Sequence, residues 1–285
     1  MTGRIPASVA RLSAAALAVI GVLAVGAGAA GASEVIYNNI PGPATPANLP
    51  SIGFEATSTA QFGGAVQFAG TARKGQLVNV GMSTWACEKG SWTGSPECIT
   101  SPGGHYEWPI TLNVYEVGPG NTVGPLVTSV TRTLKIPFRK SQNNTKCKNG
   151  KGEPSGAWYE PTLKQCFHGK YFKVTFMLRN AKLPASAIVS VAYNTSDYGA
   201  EPQRSKSPAG GPYDSLNVAL NANYNEKEEA EPVSPSVGAY AVPAEVFVNS
   251  SWSAMYCGNA GATGSFGPSG ACWTYEQPAI EVIGN

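Results

Sequence analysis

The chain has 285 residues, of which 42% are hydrophobic and only 13% are charged, well below the roughly 25% of charged residues in an ordinary globular protein. Its 33 glycines and 22 prolines are too many for a helical protein, and because they are not periodic they exclude collagen. Two of the 20 basic residues, Arg4 and Arg11, lie in the N-terminal leader, which leaves 18 basic and 18 acidic residues behind it. A neutral chain has no general basic surface to displace phosphate counterions, so we expect no nucleic-acid binding.

Residues 1–32 have the three parts of a signal peptide. Arg4 and Arg11 form a positive n-region, Leu12–Val25 is an apolar h-region, and residues 30–32 read Ala-Gly-Ala, the pattern that signal peptidase recognises. We expect cleavage before Ser33 and no membrane span in the processed chain. The alternative is an uncleaved anchor, but the last third of the apolar stretch is Gly and Ala, which are only weakly hydrophobic.

Behind the leader, apolar and polar residues alternate with period two, and no segment has a convincing helical period. Gly-rich turns are predicted at residues 62–64 and 118–121, because glycine supplies the positive φ that hairpin turns require. The pattern predicts an all-β fold, a two-sheet antiparallel sandwich that is jelly-roll-like and has long disulfide-pinned loops. The predicted strands are Val35–Asn38, Ile52–Gln61, Ala65–Ala72, Leu77–Cys87, Trp108–Val117, Pro125–Ile136, Tyr171–Leu178, Ala187–Asn194, Ser215–Asn221, Glu245–Asn249 and Ala279–Ile283.

No clean domain boundary interrupts residues 33–285, so we expect a single sandwich domain. The best candidate linker is Ala222–Pro243, which is rich in glutamate and then in proline. That composition favours a flexible, solvated excursion over residues 222–243. The roughly forty residues after it are too few to fold alone and are expected to complete the sandwich.

Six cysteines in an exported chain indicate disulfides, since export delivers them to an oxidising compartment. Six cysteines allow 15 pairings, but three couples are close in sequence and each brackets a loop rich in Gly, Pro, Lys or Asn. We predict the pairs Cys87–Cys98, Cys147–Cys166 and Cys257–Cys272. Closing loops of this size stabilises a fold by about 3 kcal/mol in the chain-entropy model. A metal site would use paired Cys-x-x-Cys or Cys/His clusters, and the sequence has none.

Several short motifs resemble those of secreted bacterial jelly-roll surface proteins, including the anchored extracellular proteins of the PEP-CTERM type. They are VIYNNIP at residues 35–41, NLPSIGFEA at 48–56 and FGG at 62–64. Together with YNTSDYG at 193–199 and GPYDSL at 211–216, they make the processed chain similar to exported actinobacterial proteins. Residues 280–285 offer no hydrophobic tail, unlike the anchored proteins. The resemblance implies a fold and an extracellular location, and it implies no activity.

Aromatic residues in and around the predicted disulfide loops suggest a sugar-binding platform, since a flat ring packs well on the apolar face of a pyranose. The candidate ligand-binding residues are Trp92, Trp158, Tyr159, Trp273 and Tyr275. The alternative is that each ring packs over its disulfide. The platform interpretation requires at least two of Trp92, Trp158, Trp252 and Trp273 to be exposed on one side of the domain.

A candidate metal site consists of Asn194, Asp197 and Asp214. If the strands at 187–194 and 215–221 are antiparallel neighbours, these residues meet at one end of the sandwich. Two carboxylates and an amide oxygen suit Ca²⁺, which prefers hard oxygen ligands. The alternative is that both aspartates cap turns through their own backbone. We expect no other cofactor.

No standard catalytic signature is present, and His105 and His168 are the only histidines. Glu55, Glu107 and Glu116 are candidate carboxyls for a glycosidase pair. A basic run (Arg139, Lys140, Lys146, Lys148 and Lys151) is interpreted as a solvated loop. The leading hypothesis is therefore a secreted non-enzymatic binding or structural surface protein with a glycan or cell-surface partner. The alternative is an extracellular carbohydrate-active enzyme on the same scaffold.

Overall fold

The computed structural model describes residues 32–42, 47–55, 57–148, 156–194, 216–224, 230–243, 245–250, 265–270 and 276–285. Within these ranges the chain forms β-strands and one short 3₁₀ turn, Pro119–Asn121, with no α-helix. The strands are β1 Glu34–Asn38, β2 Ser51–Gly53, β3 Thr59–Gln67, β4 Lys74–Thr84, β5 His105–Val117, β6 Val123–Pro137, β7 Trp158–Glu160, β8 Gln165–Phe167, β9 Lys170–Lys182, β10 Ser186–Ala192, β11 Leu216–Ala219, β12 Ala222–Tyr224, β13 Ala230–Pro232, β14 Ala239–Tyr240, β15 Val246–Ser250, β16 Gly267–Pro268 and β17 Ile280–Gly284.

Two antiparallel sheets carry the fold, which confirms the predicted all-β sandwich. In the first, sheet A, β4 pairs with β9 on one side and with β17 and β11 on the other, and β1 and β2 lie outside these. In the second, sheet B, the order is β16-β15-β3-β10-β5-β6, and β14 also pairs with β3. Thus β6 and β9 are edge strands of their sheets. They contact each other where Arg132 Nη1 donates to the carbonyl oxygen of Thr175.

The core consists of alternate side chains that the two sheets bury against each other. Residues of β9 at positions 174, 176 and 178 are buried, whereas on the opposite face residues 173 and 177 are exposed and residue 175 is half-buried, as period-two alternation predicts. The same buried cluster takes residues from both sheets, including Val78, Val80, Met82, Ile110, Leu112, Val114, Val189, Val191, Ile280 and Val282. Apolar burial of this extent is the main stabilising contribution to such a fold.

The predicted turn at residues 62–64 is wrong, because Gly63 and Gly64 lie inside strand β3. The chain turns earlier, where the backbone N–H groups of Thr57 and Thr59 donate to the carbonyl oxygens of Gly53 and Phe54, and this turn divides the predicted strand Ile52–Gln61 into β2 and β3. Glycine is needed in β3 for a close approach: a Cβ on Gly63 would lie 2.5 Å from Ser190 Cβ on β10. Glycine within a strand marks such contacts as well as turns.

The strands flanking the candidate metal site are not neighbours, and the predicted pairing is wrong. Strand β10 lies between β3 and β5 in sheet B, whereas β11 pairs with β4 and β2 in sheet A. The chain therefore crosses from one layer to the other between them. The end of β10 and the start of β11 nevertheless meet, because Tyr193 Oη donates to the carbonyl oxygen of Leu216 at 2.7 Å.

The predicted flexible excursion at residues 222–243 contains three short strands. Strands β12 and β13 pair with each other, and β14 adds to β3 in sheet B. Asn221 Nδ2 donates to the carbonyl oxygen of Val233 at 2.9 Å, which fixes the base of this hairpin. The described part of the excursion is thus held against the sandwich.

We predict that Gly63→Ala destabilises the protein by roughly 2 kcal/mol, the cost typical of inserting a carbon into a packed interior. The new methyl group would also lie 2.8 Å from the carbonyl oxygen of Val189. The midpoint of urea unfolding measures the effect. Gly42→Ala is the matched control, because nothing lies within 4 Å of a Cβ at that exposed position. Equal midpoints for the two variants would contradict the close-approach explanation.

Candidate ligand-binding site

Two disulfide-pinned segments cover one end of the sandwich, where β4 and β6 end and β5 and β9 begin. We call this the cap and define it as residues 85–104, 138–148 and 156–169. The predicted pairs Cys87–Cys98 and Cys147–Cys166 are confirmed, with Cα–Cα distances of 5.5 and 5.8 Å. Cys257 and Cys272 lie outside the described residues, so their pairing stays a prediction.

Hydrogen bonds join the cap segments to each other and to the strand ends. The backbone N–H of Arg139 donates to the carbonyl oxygen of Ala86 at 2.9 Å, and that of Phe138 donates to Gly104 at 3.1 Å. Gln142 and Cys98 exchange two bonds, one from each backbone N–H, both at 3.0 Å. The segment after β6 therefore pairs with the first disulfide loop, and the two sheets are connected at this end.

A buried arginine lies at the centre of the cap. Arg139 is 0% exposed, and its guanidinium donates to the carbonyl oxygens of Lys140 (3.2 Å), Trp92 (3.3 Å) and Gly156. Burial lowers its pKa to about 10, so the group is still charged at neutral pH. No carboxylate in the described ranges forms an ion pair with it. Irregular loops leave carbonyls without N–H partners, and the guanidinium supplies five donors to them.

Aromatic side chains pack within the cap. Trp92 and Trp85 meet edge to face at 5.1 Å between ring centroids, and His168 stacks on Trp85 at 5.9 Å. His168 Nδ1 also lies 3.3 Å from the carbonyl oxygen of Trp92. Burial lowers the pKa of His168, a shift that the Trp92 carbonyl opposes and Arg139 reinforces. Trp92 is therefore half-buried in a ring cluster.

Trp158 does not belong to a sugar-binding platform. It is 0% exposed, and its Nε1 donates to the carbonyl oxygen of Gly169 at 2.8 Å. This residue is packed inside the protein, where its ring lies 5.5 Å from that of Phe167 and 4.5 Å from Lys140 Nζ. Tyr159, on β7, is half-buried. Trp252, Trp273 and Tyr275 lie outside the described residues.

A cleft of about 440 Å³ opens beside the cap. One wall is residues 100–105, which run from just after Cys98 to the first residue of β5, and the other is the end of β6, the residues that follow it and the start of β9. Three lysines, Lys135, Lys140 and Lys170, supply the charged side chains of the lining, which also includes the buried Arg139 and, at the entrance to β5, His105. No carboxylate is among the lining residues.

The charges around the cleft are only partly balanced. Lys140 Nζ lies 2.9 Å from Glu160 Oε2, and the Thr162 hydroxyl together with Lys140 lowers the pKa of Glu160 to about 2. Lys135 and Lys170 form no ion pair within the described part of the chain. Burial, and next the charge of Lys140, lowers the pKa of Lys170. The lining of the cleft is therefore cationic, and two of its three lysines have no ion pair in the described ranges.

Sequence reasoning found this site only in part. Of the predicted basic run, Arg139 is buried, Lys140 lines the cleft, and Lys146 and Lys148 are exposed outside it. Lys151 is not among the described residues. Lys135 and Lys170 were missed because they are 35 positions apart and meet only through the ends of β6 and β9. The net charge of each predicted strand could have indicated the site, since β6 and β9 carry basic residues and no acidic residue.

The other candidate residues do not come together in the described ranges. The backbone carbonyl of Asn194 accepts a hydrogen bond from Trp108 Nε1 at 2.7 Å, and Asp197 and Asp214 lie outside those ranges, so the Ca²⁺ site stays a prediction. No three described His, Cys, Asp or Glu side chains are grouped to hold a metal. Glu107 and Glu116 are nine residues apart on β5, about 30 Å at the usual strand rise, too far for a glycosidase pair. Glu55 is buried.

No protein-family model, curated protein or solved structure matches this chain. Within the part that the structure describes, no helix has the length and apolar character needed to cross a membrane. The fold and site define a disulfide-stabilised antiparallel β-sandwich with a cationic cleft at its capped end.

We predict that Arg139→Met destabilises the protein by roughly 2–4 kcal/mol, because it removes charge-assisted hydrogen bonds from three carbonyl oxygens. Thermal and urea unfolding measure the loss. Hydrogen exchange should show the loss of protection concentrated in the cap. Arg179→Met is the matched control, since Arg179 is exposed on β9 and should cost less than about 0.5 kcal/mol. A small, equal loss in both variants would contradict a structural role for Arg139.

We also predict that His168 makes the protein less stable as the pH falls below about 6.5, which is the ordinary pKa of a histidine side chain. Its folded-state pKa is lowered, so in this range the unfolded chain binds a proton that the folded protein does not. Between pH 7.5 and 5, the melting temperature of His168→Gln should therefore fall less than that of the wild type. The control His105→Gln removes an exposed imidazole and should keep the wild-type slope. A wild-type slope in His168→Gln would show that the histidine is not responsible.

Proposed function

We propose that this protein is a secreted, non-enzymatic β-sandwich that binds a glycan or another cell-surface partner in the cleft at its capped end. The observation that carries the proposal is the cleft of about 440 Å³, built where a disulfide-pinned loop meets the ends of two edge strands. Its volume is within the range of roughly 300–1,000 Å³ that is usual for ligand sites.

The construction of the cap supports a binding role. Binding residues are concentrated on loops that a rigid scaffold positions, and here residues 99–104 are anchored at their start by Cys87–Cys98 and along their length by bonds to residues 138–142. Hydroxyls of Thr100, Ser101 and Ser141 and the lysine side chains supply convergent polar groups. Two disulfides agree with an oxidising compartment, and the signal-peptide pattern of residues 1–32 supports export.

The test begins with the full-length chain expressed in a bacterial host. The processed protein is collected from the medium, where its N-terminus should be Ser33, and is screened on an array of microbial glycans. Pro102→Trp places a bulky side chain in the cleft without changing charge and should weaken binding at least about tenfold. Pro119→Trp, at an exposed turn, is the matched control and should bind as the wild type does.

Three results would overturn the proposal. If the wild-type protein binds neither a glycan on the array nor the surface of whole cells, the proposed binding function is wrong. Equal binding by Pro102→Trp and Pro119→Trp would place the site elsewhere. Release of new reducing ends from a bound glycan would show that the protein is a carbohydrate-active enzyme.

A further inference from the structure

Positive charge is concentrated along one edge of the sandwich, although the residues that follow the leader have no net charge. Strands β6 and β9 form this edge and carry no carboxylate. Their cations are Arg132, Lys135, Lys170, Lys173, Arg179 and Lys182. Arg132 is used within the fold, since it bridges to the carbonyl of Thr175. A segregated edge of this kind produces a local positive potential that the net charge conceals.

The cleft lies at the end of this edge, where the cations are closest to the cap. Lys135 lies two residues before the end of β6, Lys140 follows that strand, and Lys170 is the first residue of β9. Lys170 is half-buried and has no ion pair in the described ranges. Partly desolvated cations held close together repel each other, and a bound anion relieves that repulsion.

Nearby carboxylates cancel this charge only in part. Glu160 is engaged by Lys140 and Thr162, and Glu88 accepts the backbone N–H of Ser101 at 2.6 Å. Glu107 is opposite Lys135 in the strand register, but no ion pair joins them. On the facing wall, Thr100 and Ser101 provide hydroxyls, which donate well to oxyanions, whereas the Ser141 hydroxyl, beside Lys140, donates to the carbonyl oxygen of Thr100 at 3.2 Å.

We propose that the cleft binds an anionic group, a carboxylate, phosphate or sulfate, carried on an acidic glycan, and that Lys135, Lys140 and Lys170 contact it. This assignment rests on the binding function proposed above and gives it a ligand class. The cations at the far end of the edge, Arg179 and Lys182, are not part of the site. A glycan is favoured over a nucleic acid because the cleft is short and the processed chain as a whole is neutral.

The experiment measures affinity for short probes by isothermal titration calorimetry with the processed wild-type protein. The probes are trigalacturonate (carboxylate), a glycerol phosphate trimer (phosphate), a sulfated trisaccharide (sulfate), neutral maltotriose and an oligothymidylate. At about 50 mM salt, at least one anionic glycan should bind more than tenfold tighter than maltotriose. Raising the salt to about 300 mM should weaken that binding, because screening acts on exposed charges.

The triple variant Lys135→Gln/Lys140→Gln/Lys170→Gln should lose about tenfold or more in affinity for that probe, given the usual contribution of individual exposed ion pairs. The charge-matched control is Lys74→Gln/Arg179→Gln/Lys182→Gln. These exposed residues lie at the ends of β4 and β9 that are remote from the cap, so the control should change the affinity less than twofold. The double variant Lys135→Gln/Lys170→Gln keeps the Lys140–Glu160 pair and should still lose several-fold, which separates binding from any folding defect.

The outcomes distinguish this assignment from the function on which it rests. If maltotriose or another neutral glycan binds as tightly as the acidic ones and Pro102→Trp abolishes that binding, the cleft is a glycan site and the anion assignment is wrong. Equal losses in the triple variant and its control would also overturn the assignment. If the oligothymidylate binds more tightly than every glycan, the ligand of the cleft is a nucleic acid and the glycan assignment is wrong. Absence of binding to every probe, together with a blank array, would overturn both proposals.

Discussion

The guanidinium of Arg139 holds three chain segments together at the end of the sandwich. Taking a charge out of water costs several kcal/mol unless the new surroundings compensate for it. Here the compensation is the carbonyl oxygens of Trp92, Lys140 and Gly156, which belong to irregular backbone with few N–H partners of its own. The cation and the loops therefore satisfy each other. The two disulfides complement this arrangement, since they restrict the unfolded chain whereas the hydrogen bonds stabilise the folded one.

The cleft is a consequence of that arrangement. Because Arg139 and its neighbours attach residues 98–104 to the segment after β6, the segment that follows Cys98 faces the start of β9 across the cleft. Lys170 begins that strand, so it becomes half-buried beside Lys140. The positive character of the site thus comes from two edge strands and one loop, and no single stretch of sequence encodes it.

Local patterns predicted what depends on local physics. Alternation at residues 172–178 gave a buried strand, and short spacing gave Cys87–Cys98 and Cys147–Cys166, because both signals reflect neighbours along the chain. Long-range placement was not predictable in this way. Gly63 was compatible with a turn or a close approach, and only the contact with Ser190 decides between them.

The same limit applies to pairing and burial. The sequence patterns of β10 and β11 are compatible with two adjacent strands and equally with two strands in different sheets. In the structure β10 belongs to sheet B and β11 to sheet A. An aromatic residue in a disulfide loop similarly suits a binding surface or a small core, and only the structure shows that Trp158 is buried, with Phe167 and the carbonyl of Gly169 as contacts. Lys135 and Lys170 come together through topology alone.

Trp158 nevertheless affects the site that it does not line. Lys140 Nζ lies 4.5 Å from the centre of its ring and 2.9 Å from Glu160, so a side chain that normally keeps much rotamer freedom is held in one place. Immobilising a free lysine on binding costs about 0.5–1.5 kcal/mol. Because these contacts already restrict Lys140 in the folded protein, much of this entropy is lost during folding and not on binding. The buried indole, together with Glu160, thus helps to position the ammonium of Lys140, a residue of the cleft lining. An aromatic ring that the sequence suggested as a ligand contact therefore acts one layer below the surface, through the charge that it positions.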